Sequence, residues 1–167
     1  TGSVEYSTHT GNNLLSYSYS DDQSLEDALS GTDANSLTSA IYGEGIMAAN
    51  IDGMWAGTMT GFEAGSGYWF VANSPYQFEY NAPASGALFR LAQLPKPPKV
   101  LEYTQSMNQY FYLITEAEID GIELATGDWL VAKCNDVVVG SRHYTAGSMI
   151  DIPIMGYVND PNMPGIQ

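Results

Sequence analysis

The chain has 167 residues, 44% of them hydrophobic and 12% aromatic, which predicts one or two packed domains rather than a disordered polymer. Its 19 acidic and 5 basic residues give a net charge of −14, which argues against nucleic acid and anionic membranes as partners. A single cysteine excludes an intrachain disulfide, and no stretch of about 18 apolar residues predicts membrane insertion. Because the chain begins at Thr1 rather than at Met, we expect a processed or excised portion of a longer protein.

The first half predicts strands around one short helix. From Leu15 to Tyr19 apolar residues alternate with serine, which is typical of a half-buried strand. Ser24 with Asp27 three residues later indicates a helix N-terminus, and Gly31 ends the apolar stripe after about two turns. Further strands are predicted at residues 36–42, 67–72 and 76–81.

One segment of this half resembles a nucleotide-binding fingerprint. Residues 43–48, GEGIMA, fit G-x-G-x-x-G/A, and Glu63 lies twenty residues after Gly43. A dinucleotide site also needs these glycines to open a helix of ten or more residues that leads to a parallel strand. Only residues 46–51 precede the next turn signal, Asp52-Gly53, so we interpret the segment as a turn or bulge.

A proline-rich segment separates the two halves. Residues 90–99, RLAQLPKPPK, contain three prolines and three of the five basic residues, a composition typical of an extended spacer. The predicted organisation is a β-rich module with one helix at residues 1–88, a linker at 89–99 and a second module at 100–167.

The second half is more plainly β. Asp120-Gly121 and Asn135-Asp136 are turn signals that predict two hairpins. Residues 149–157 alternate between two faces, and Pro153 marks this strand as an edge strand or a strand end. The fold class that these patterns predict is mainly β.

Two stretches of the first module carry family-like motifs. Residues 41–48 read IYGEGIMA, close to I-x-G-E-G-V-A-A, and residues 62–69 read FEAGSGYW, close to L-x-P-G-x-G-Y-W with Ala64 in place of proline. The module resembles a small repeat of secreted and surface proteins of environmental bacteria and their phages. Asn12-Asn13 stands where relatives have Trp-Asn, so one core aromatic is missing or supplied elsewhere.

The second module resembles a companion β-sandwich module of the same proteins, with the pattern D-G-x-x-L-x-x-G-D-x-x-x-A-x-x-x-D-x-x-V-G. The matching residues are Asp120, Gly121, Leu124, Gly127, Asp128, Ala132, Asp136, Val139 and Gly140. The resemblance implies two small β-rich modules, the first with one short α-helix and the second a β-sandwich. Relatives continue into a further strand, so either this chain stops early or a neighbouring chain completes the sheet.

Catalytic motifs are absent from the sequence, so we predict no catalytic residue, no cofactor and no enzymatic activity. A Cys134–His143 nucleophile needs an electropositive setting that an acidic chain hardly provides. The sequence does not exclude a pair of carboxylates that would catalyse glycoside hydrolysis, so a hydrolase fragment is a third, distant hypothesis.

Calcium is the one metal that the sequence suggests, because hard oxygen ligands near turns and strand ends suit it. The candidate ligands are Asp120, Asp128, Asp136, Asp151 and Asp160. The alternative interpretation is that aspartate simply favours turns.

Aromatic residues suggest contact surfaces. Trp69 and Trp129 lie inside apolar strand patterns and are predicted to pack in a core, whereas Trp55 lies between Gly53 and Gly57 and is predicted to be an exposed platform. Tyrosines that could pack against a neighbouring subunit are Tyr17, Tyr19, Tyr76 and Tyr80.

The leading functional hypothesis is a non-enzymatic structural or adhesive module, extracellular or on a cell or virion surface. It would act through sheet edges and aromatic faces, by self-association or by docking on a larger scaffold. The alternative hypothesis is a carbohydrate-binding accessory region of a secreted enzyme.

Overall fold

A computed structural model describes residues 3–84 and 89–158 of the chain. Strands greatly outnumber helices, which confirms the predicted mainly β fold with few helices. The chain forms two compact units, Thr1–Gln93 and Leu94–Gln167. No helix in the described ranges has the length and apolar character needed to cross a bilayer.

Within residues 3–84 and 89–93, the first unit contains nine strands and two short helices. In chain order they are β1 Tyr6–Ser7, β2 Gly11–Ser16, β3 Gln23–Ser24, α1 Leu25–Leu29, α2 Asp33–Leu37, β4 Thr38–Tyr42, β5 Met47–Ile51, β6 Met54–Ala56, β7 Gly61–Phe62, β8 Gly67–Ala72 and β9 Gln77–Phe78. Five of the strands form one antiparallel sheet in the order β2-β8-β4-β5-β6. The remaining strands form the pairs β1–β9 and β3–β7.

Both helices begin at a side-chain cap. In α1 the Ser24 hydroxyl accepts a hydrogen bond from the Asp27 backbone N–H at 3.0 Å, as the capping pattern predicts. Helix α2, in which the Thr32 hydroxyl caps the Asn35 N–H, was not predicted. The sequence signal for the start of α2 is weak. Asn35, three residues after the cap, cannot form the capping box that glutamate or glutamine would form.

The fingerprint segment is a turn, as interpreted from the sequence. Strands β4 and β5 pair antiparallel, and the Gly43 N–H donates to the Ile46 carbonyl oxygen at 2.9 Å between them. Gly45 has a φ of 67°, which glycine adopts without steric cost. The glycines therefore close a hairpin instead of opening a crossover helix.

The core of the first unit is built from aromatic rings. Phe62 is fully buried, stacks on Tyr17 with ring centroids 5.3 Å apart and meets Tyr80 edge-on at 5.1 Å. Phe70 also stacks on Phe62, with ring centroids 6.0 Å apart. Such pairs contribute about 0.5–1.5 kcal/mol each beyond the apolar area that they bury.

As far as residue 158, the second unit contains six strands, which form three pairs. They are β10 Gln109–Ile114, β11 Glu118–Ile119, β12 Ile122–Glu123, β13 Trp129–Cys134, β14 Val137–His143 and β15 Ile150–Met155, preceded by a 3-10 turn at Lys99–Leu101. The antiparallel pairs are β10–β15, β11–β12 and β13–β14. Both predicted hairpins are confirmed, because Asp120 and Asn135 each adopt a φ of 53° in the turns that join β11 to β12 and β13 to β14.

Strands β14 and β15 approach each other closely at one glycine. A Cβ atom at Gly140 would overlap the carbonyl oxygen of Pro153, so a larger residue would force the strands apart. Pro153 lies opposite Phe111 in a two-stranded sheet, consistent with its predicted place on an edge strand.

The division between the units falls inside the segment predicted to be a linker. Phe89 lies against Gly61, so packing of the first unit extends past residue 88. In the second unit, the 3-10 turn at Lys99–Leu101 contacts β14. Residues 89–93 are grouped with the first unit, and residues 94–99 with the second.

Candidate interaction surfaces

The five-stranded sheet has two apolar faces, and only one of them lines the core of the first unit. In β8 the side chains of Tyr68, Phe70 and Ala72 are buried on the inner face. Trp69 and Val71 point to the opposite side because successive strand residues alternate. Trp69 is 45% exposed.

A row of large side chains crosses three strands on that opposite side. Trp69 lies directly between Leu14 of β2 and Tyr42 of β4 in the strand register. Leu14 is 61% exposed, and Tyr42 is half-buried, which raises the pKa of its hydroxyl through desolvation. Met47 of β5 continues the row next to Tyr42 and is buried, so the exposed part of the row is at Leu14 and Trp69.

Smaller residues form the next row. Val71, Ala40, Ala49 and Ala56 lie side by side on β8, β4, β5 and β6. We call the whole side of the sheet the outer face. Its residues are Asn12, Leu14, Ser16, Ala40, Tyr42, Met47, Ala49, Ile51, Met54, Ala56, Gly67, Trp69 and Val71.

The outer face contains no charged residue, although the chain has 19 acidic ones. Glu44 and Asp52 are near it in sequence, but they lie in the turns at the ends of β4, β5 and β6. When one side of an antiparallel sheet faces solvent, that side is normally polar and the core side apolar. The outer face therefore has the composition of a buried face.

The predictions for two tryptophans were wrong because the two apolar faces were interchanged. Trp69 was expected in the core and lies on the outer face. Trp55 was expected to be exposed, yet it packs against the core, and its indole N–H donates to Asn35 Oδ1 at 2.8 Å. Trp129 is half-buried and meets the His143 ring edge-on, with centroids 5.6 Å apart.

The tyrosines proposed as subunit contacts lie inside the first unit. Tyr17, Tyr76 and Tyr80 are buried core residues, and Tyr19 packs against them half-buried, so the prediction of an exposed tyrosine face was wrong. The Tyr17 hydroxyl donates to Gln23 Oε1 at 2.8 Å, and burial, followed by the neighbouring Tyr19, raises its pKa to about 12. Burial also raises the pKa of Tyr76 and Tyr80.

The four candidate calcium ligands that the structure describes do not come together. Asp120 and Asp136 are exposed in two different hairpin turns, and Asp128 accepts a hydrogen bond from the Ala125 N–H at 2.8 Å. Asp160 lies outside the described residues. Within residues 3–84 and 89–158, no three His, Cys, Asp or Glu side chains are grouped to hold a metal ion.

Asp151 pairs with a cation of the chain itself. It is fully buried, and its Oδ2 lies 3.2 Å from Arg142 Nη2, while its backbone oxygen accepts from Arg142 Nε at 2.8 Å. Arg142 is also buried, so each charge offsets the cost of desolvating the other. Asp151 is thus a structural residue of the second unit.

The structure also separates Cys134 from His143. Cys134 pairs with Val137 next to the turn of the β13–β14 hairpin, whereas His143 pairs with Trp129 at its open end. Five residues along a strand correspond to roughly 16 Å. The two side chains therefore cannot form a nucleophile–base pair.

A smaller aromatic surface lies on the second unit. Tyr110 and Tyr112 lie on the same face of β10 and are 71% and 62% exposed. The alternation of tyrosine with other residues in Gln109–Ile114 indicates in the sequence that both rings share one face of a strand, but this face was not predicted. Two rings separated by one residue on a strand are about 6.5–7 Å apart and form a ridge.

We find no match for the chain among protein-family models, curated proteins or solved structures.

Proposed function

We propose that the protein is a non-enzymatic structural or adhesive module of an extracellular, cell-surface or virion-surface assembly. It works by contact, through the outer face and exposed strand edges. The observation that carries this proposal is the outer face itself, which has no charged residue and exposes the large apolar side chains of Leu14, Trp69 and Met54 in a chain of net charge −14. Exposed apolar surfaces of this kind mark interaction sites in soluble proteins.

The sequence motifs support the location. Residues 41–48 and 62–69 resemble the repeats of bacterial and phage surface proteins, and both segments border or form strands of the sheet that bears the outer face. The strong negative charge keeps such a module soluble between its contacts.

One substitution on the outer face tests the proposal. Leu14→Glu places a carboxylate on the exposed row, and Val4→Glu, at an exposed apolar residue outside the sheet, is the matched control. Self-association is measured by sedimentation velocity, and surface binding by cosedimentation with bacterial cells and cell-wall fractions. Circular dichroism and thermal melting check that both variants fold.

We expect the wild-type chain and Val4→Glu to associate in at least one of these assays, and Leu14→Glu to lose at least tenfold in apparent affinity. A chain that stays monomeric and binds no surface would overturn the proposal. So would a folded Leu14→Glu variant that associates as the wild type does.

A second candidate function, recognition of a neutral polysaccharide, is favoured by the ridge of Tyr110 and Tyr112. Tyrosine rings offer flat apolar faces of negative potential, on which the C–H groups of sugar rings can stack. Affinity electrophoresis in gels containing β-glucan, xylan or mannan tests it. Retardation should be lost when Tyr110→Ala and Tyr112→Ala are combined and kept in Tyr157→Ala, an exposed tyrosine outside β10.

A further inference from the structure

We infer that the outer face packs against the outer face of a second copy, so that two five-stranded sheets form the two layers of an intermolecular β-sandwich. This inference rests on the proposed contact function and names the partner. In sandwiches, two sheets pack about 10 Å apart, and apolar side chains of both facing sides fill the space between them. The sheet of the first unit has its own core on the inner face, so its outer face is the side that a second layer would cover.

Charge supports a second copy as the occupant. A basic partner would be attracted to the acidic parts of the surface and would gain no ion pair on the outer face, which has no carboxylate. A second copy brings an equally uncharged face. Glu44 and Asp52, in the turns next to the sheet, remain at the rim, where water solvates them.

The surface shape of the outer face suits pairing with the same face of a second copy. Ala40 and Ala49 form a recessed middle, whereas Trp69 at one end and Met54 at the other project into solvent. In an interface with two-fold symmetry, the same patch serves on both copies. Large side chains of one copy can then lie over small ones of the other, as in a well-packed core.

The size of the face sets the strength of the contact. Four strands of five or six residues and one of three, about 4.8 Å apart, give a flat face of at most roughly 20 by 17–20 Å. A stable interface buries about 800 Å² on each partner. The pairing is therefore weak between free chains, and it strengthens when an assembly holds many copies close together.

Salt gives the pairing a distinctive signature. Two chains of net charge −14 repel each other before their uncharged faces meet. Salt screens this repulsion over a Debye length of about 8 Å at 0.15 M and leaves the apolar contact in place. Self-association should therefore increase with ionic strength, whereas binding to a basic partner would decrease.

Two opposite substitutions at one residue test the inference. Val71 is half-buried next to the middle of the outer face, so residues 71 of the two copies lie close to the symmetry axis. Val71→Glu and Val71→Lys are examined separately and as an equimolar mixture by sedimentation velocity, over a range of protein concentrations at about 0.05 M and about 0.5 M salt. Val4→Glu is again the control, and circular dichroism confirms folding.

For the wild type and Val4→Glu, we expect dimers whose proportion rises with protein concentration and with salt. Each Val71 variant alone should be monomeric, and the mixture should regain dimers, most clearly at low salt. A wild-type chain that is monomeric under all conditions, dimers retained by both variants, or no recovery in the mixture would each overturn the inference. If the chain is monomeric but binds cell surfaces through Leu14, only this inference fails and the proposed contact function stands.

Discussion

In the first unit, aromatic rings fill the core. The Phe62 ring, for example, contacts three others, those of Tyr17, Phe70 and Tyr80. In the second unit, a buried ion pair joins β14 to β15, and Gly140 lets the two strands approach closely. The first arrangement depends on apolar area, which has no preferred direction. The second depends on two oppositely charged groups that must both be present.

The difference predicts how the two units respond to change. An aromatic core distributes its stabilisation over many pair contacts, so losing one polar atom matters only if that atom had a partner. A buried ion pair concentrates its effect, because removing either residue leaves the other charge desolvated and uncompensated. Hydrogen exchange followed by mass spectrometry on the full chain reports on each unit separately.

The largest effect is expected at the ion pair. Asp151→Ala leaves the Arg142 guanidinium buried without its carboxylate and should lower the free energy of unfolding of the second unit by about 3–5 kcal/mol. Peptides from β14 and β15 should lose protection against exchange, and peptides from β8 should not. The combination of Arg142→Met with Asp151→Leu, which removes both charges, should be much less destabilising. Equal losses in the single and the double variant would contradict this account.

A smaller and sharper effect separates two tyrosines of the same core. Tyr17→Phe removes the donor to the buried Gln23 and should lower the free energy of unfolding of the first unit by about 1–3 kcal/mol. The Tyr80 hydroxyl is buried and has no hydrogen-bond partner in the described part of the chain. Tyr80→Phe should therefore leave stability unchanged or raise it by about 1 kcal/mol.

Urea unfolding, followed through peptides of the first unit, measures both variants under the same conditions. Each serves as the control for the other because the chemical change is identical. A loss on Tyr80→Phe as large as that on Tyr17→Phe would show that the Tyr80 hydroxyl is paired after all.

The smallest effect appears only at alkaline pH. The pKa of Tyr17 is about 12 in the folded chain and 10.0 in the unfolded one, because burial disfavours the tyrosinate. The stabilisation from the neutral hydroxyl is complete below pH 10 and is lost as the pH rises from 10 towards 12, because the unfolded chain ionises first. The thermal midpoint of the first unit should be constant up to about pH 9 and then fall. Tyr17→Phe should fall less steeply, and a parallel fall in both would contradict the assignment.

Local patterns predicted the elements that depend on neighbouring residues. The cap at Ser24, the hairpins at Asp120-Gly121 and Asn135-Asp136, and the turn at Gly43 and Gly45 follow from side-chain chemistry and backbone freedom within a few residues. The short helix α2 escaped prediction because its cap forms an incomplete signal.

The candidate interaction surface was less predictable, for a reason visible in β8. The alternation in Gly67–Ala72 separates Trp69 and Val71 from Tyr68 and Phe70, but both sets are apolar, so the sequence does not indicate which set faces the core. The helices, β7 and the residues around Tyr80 cover one side of the sheet, and that choice is made by the fold. Trp55 and Trp69 were interchanged for this reason.

Composition and local spacing by themselves determined a mainly β, strongly acidic chain with one short capped helix and glycine-closed hairpins, because these depend on residue type and on contacts along the chain. Tertiary structure decided that Asp151 pairs with Arg142 and does not join other metal ligands. It also placed Cys134 far from His143. On the sheet of the first unit, it brought Leu14, Trp69 and Tyr42 into one row. Those relations depend on strand register and on which face is covered. Register and coverage are properties of pairs of strands distant in sequence, which no local pattern specifies.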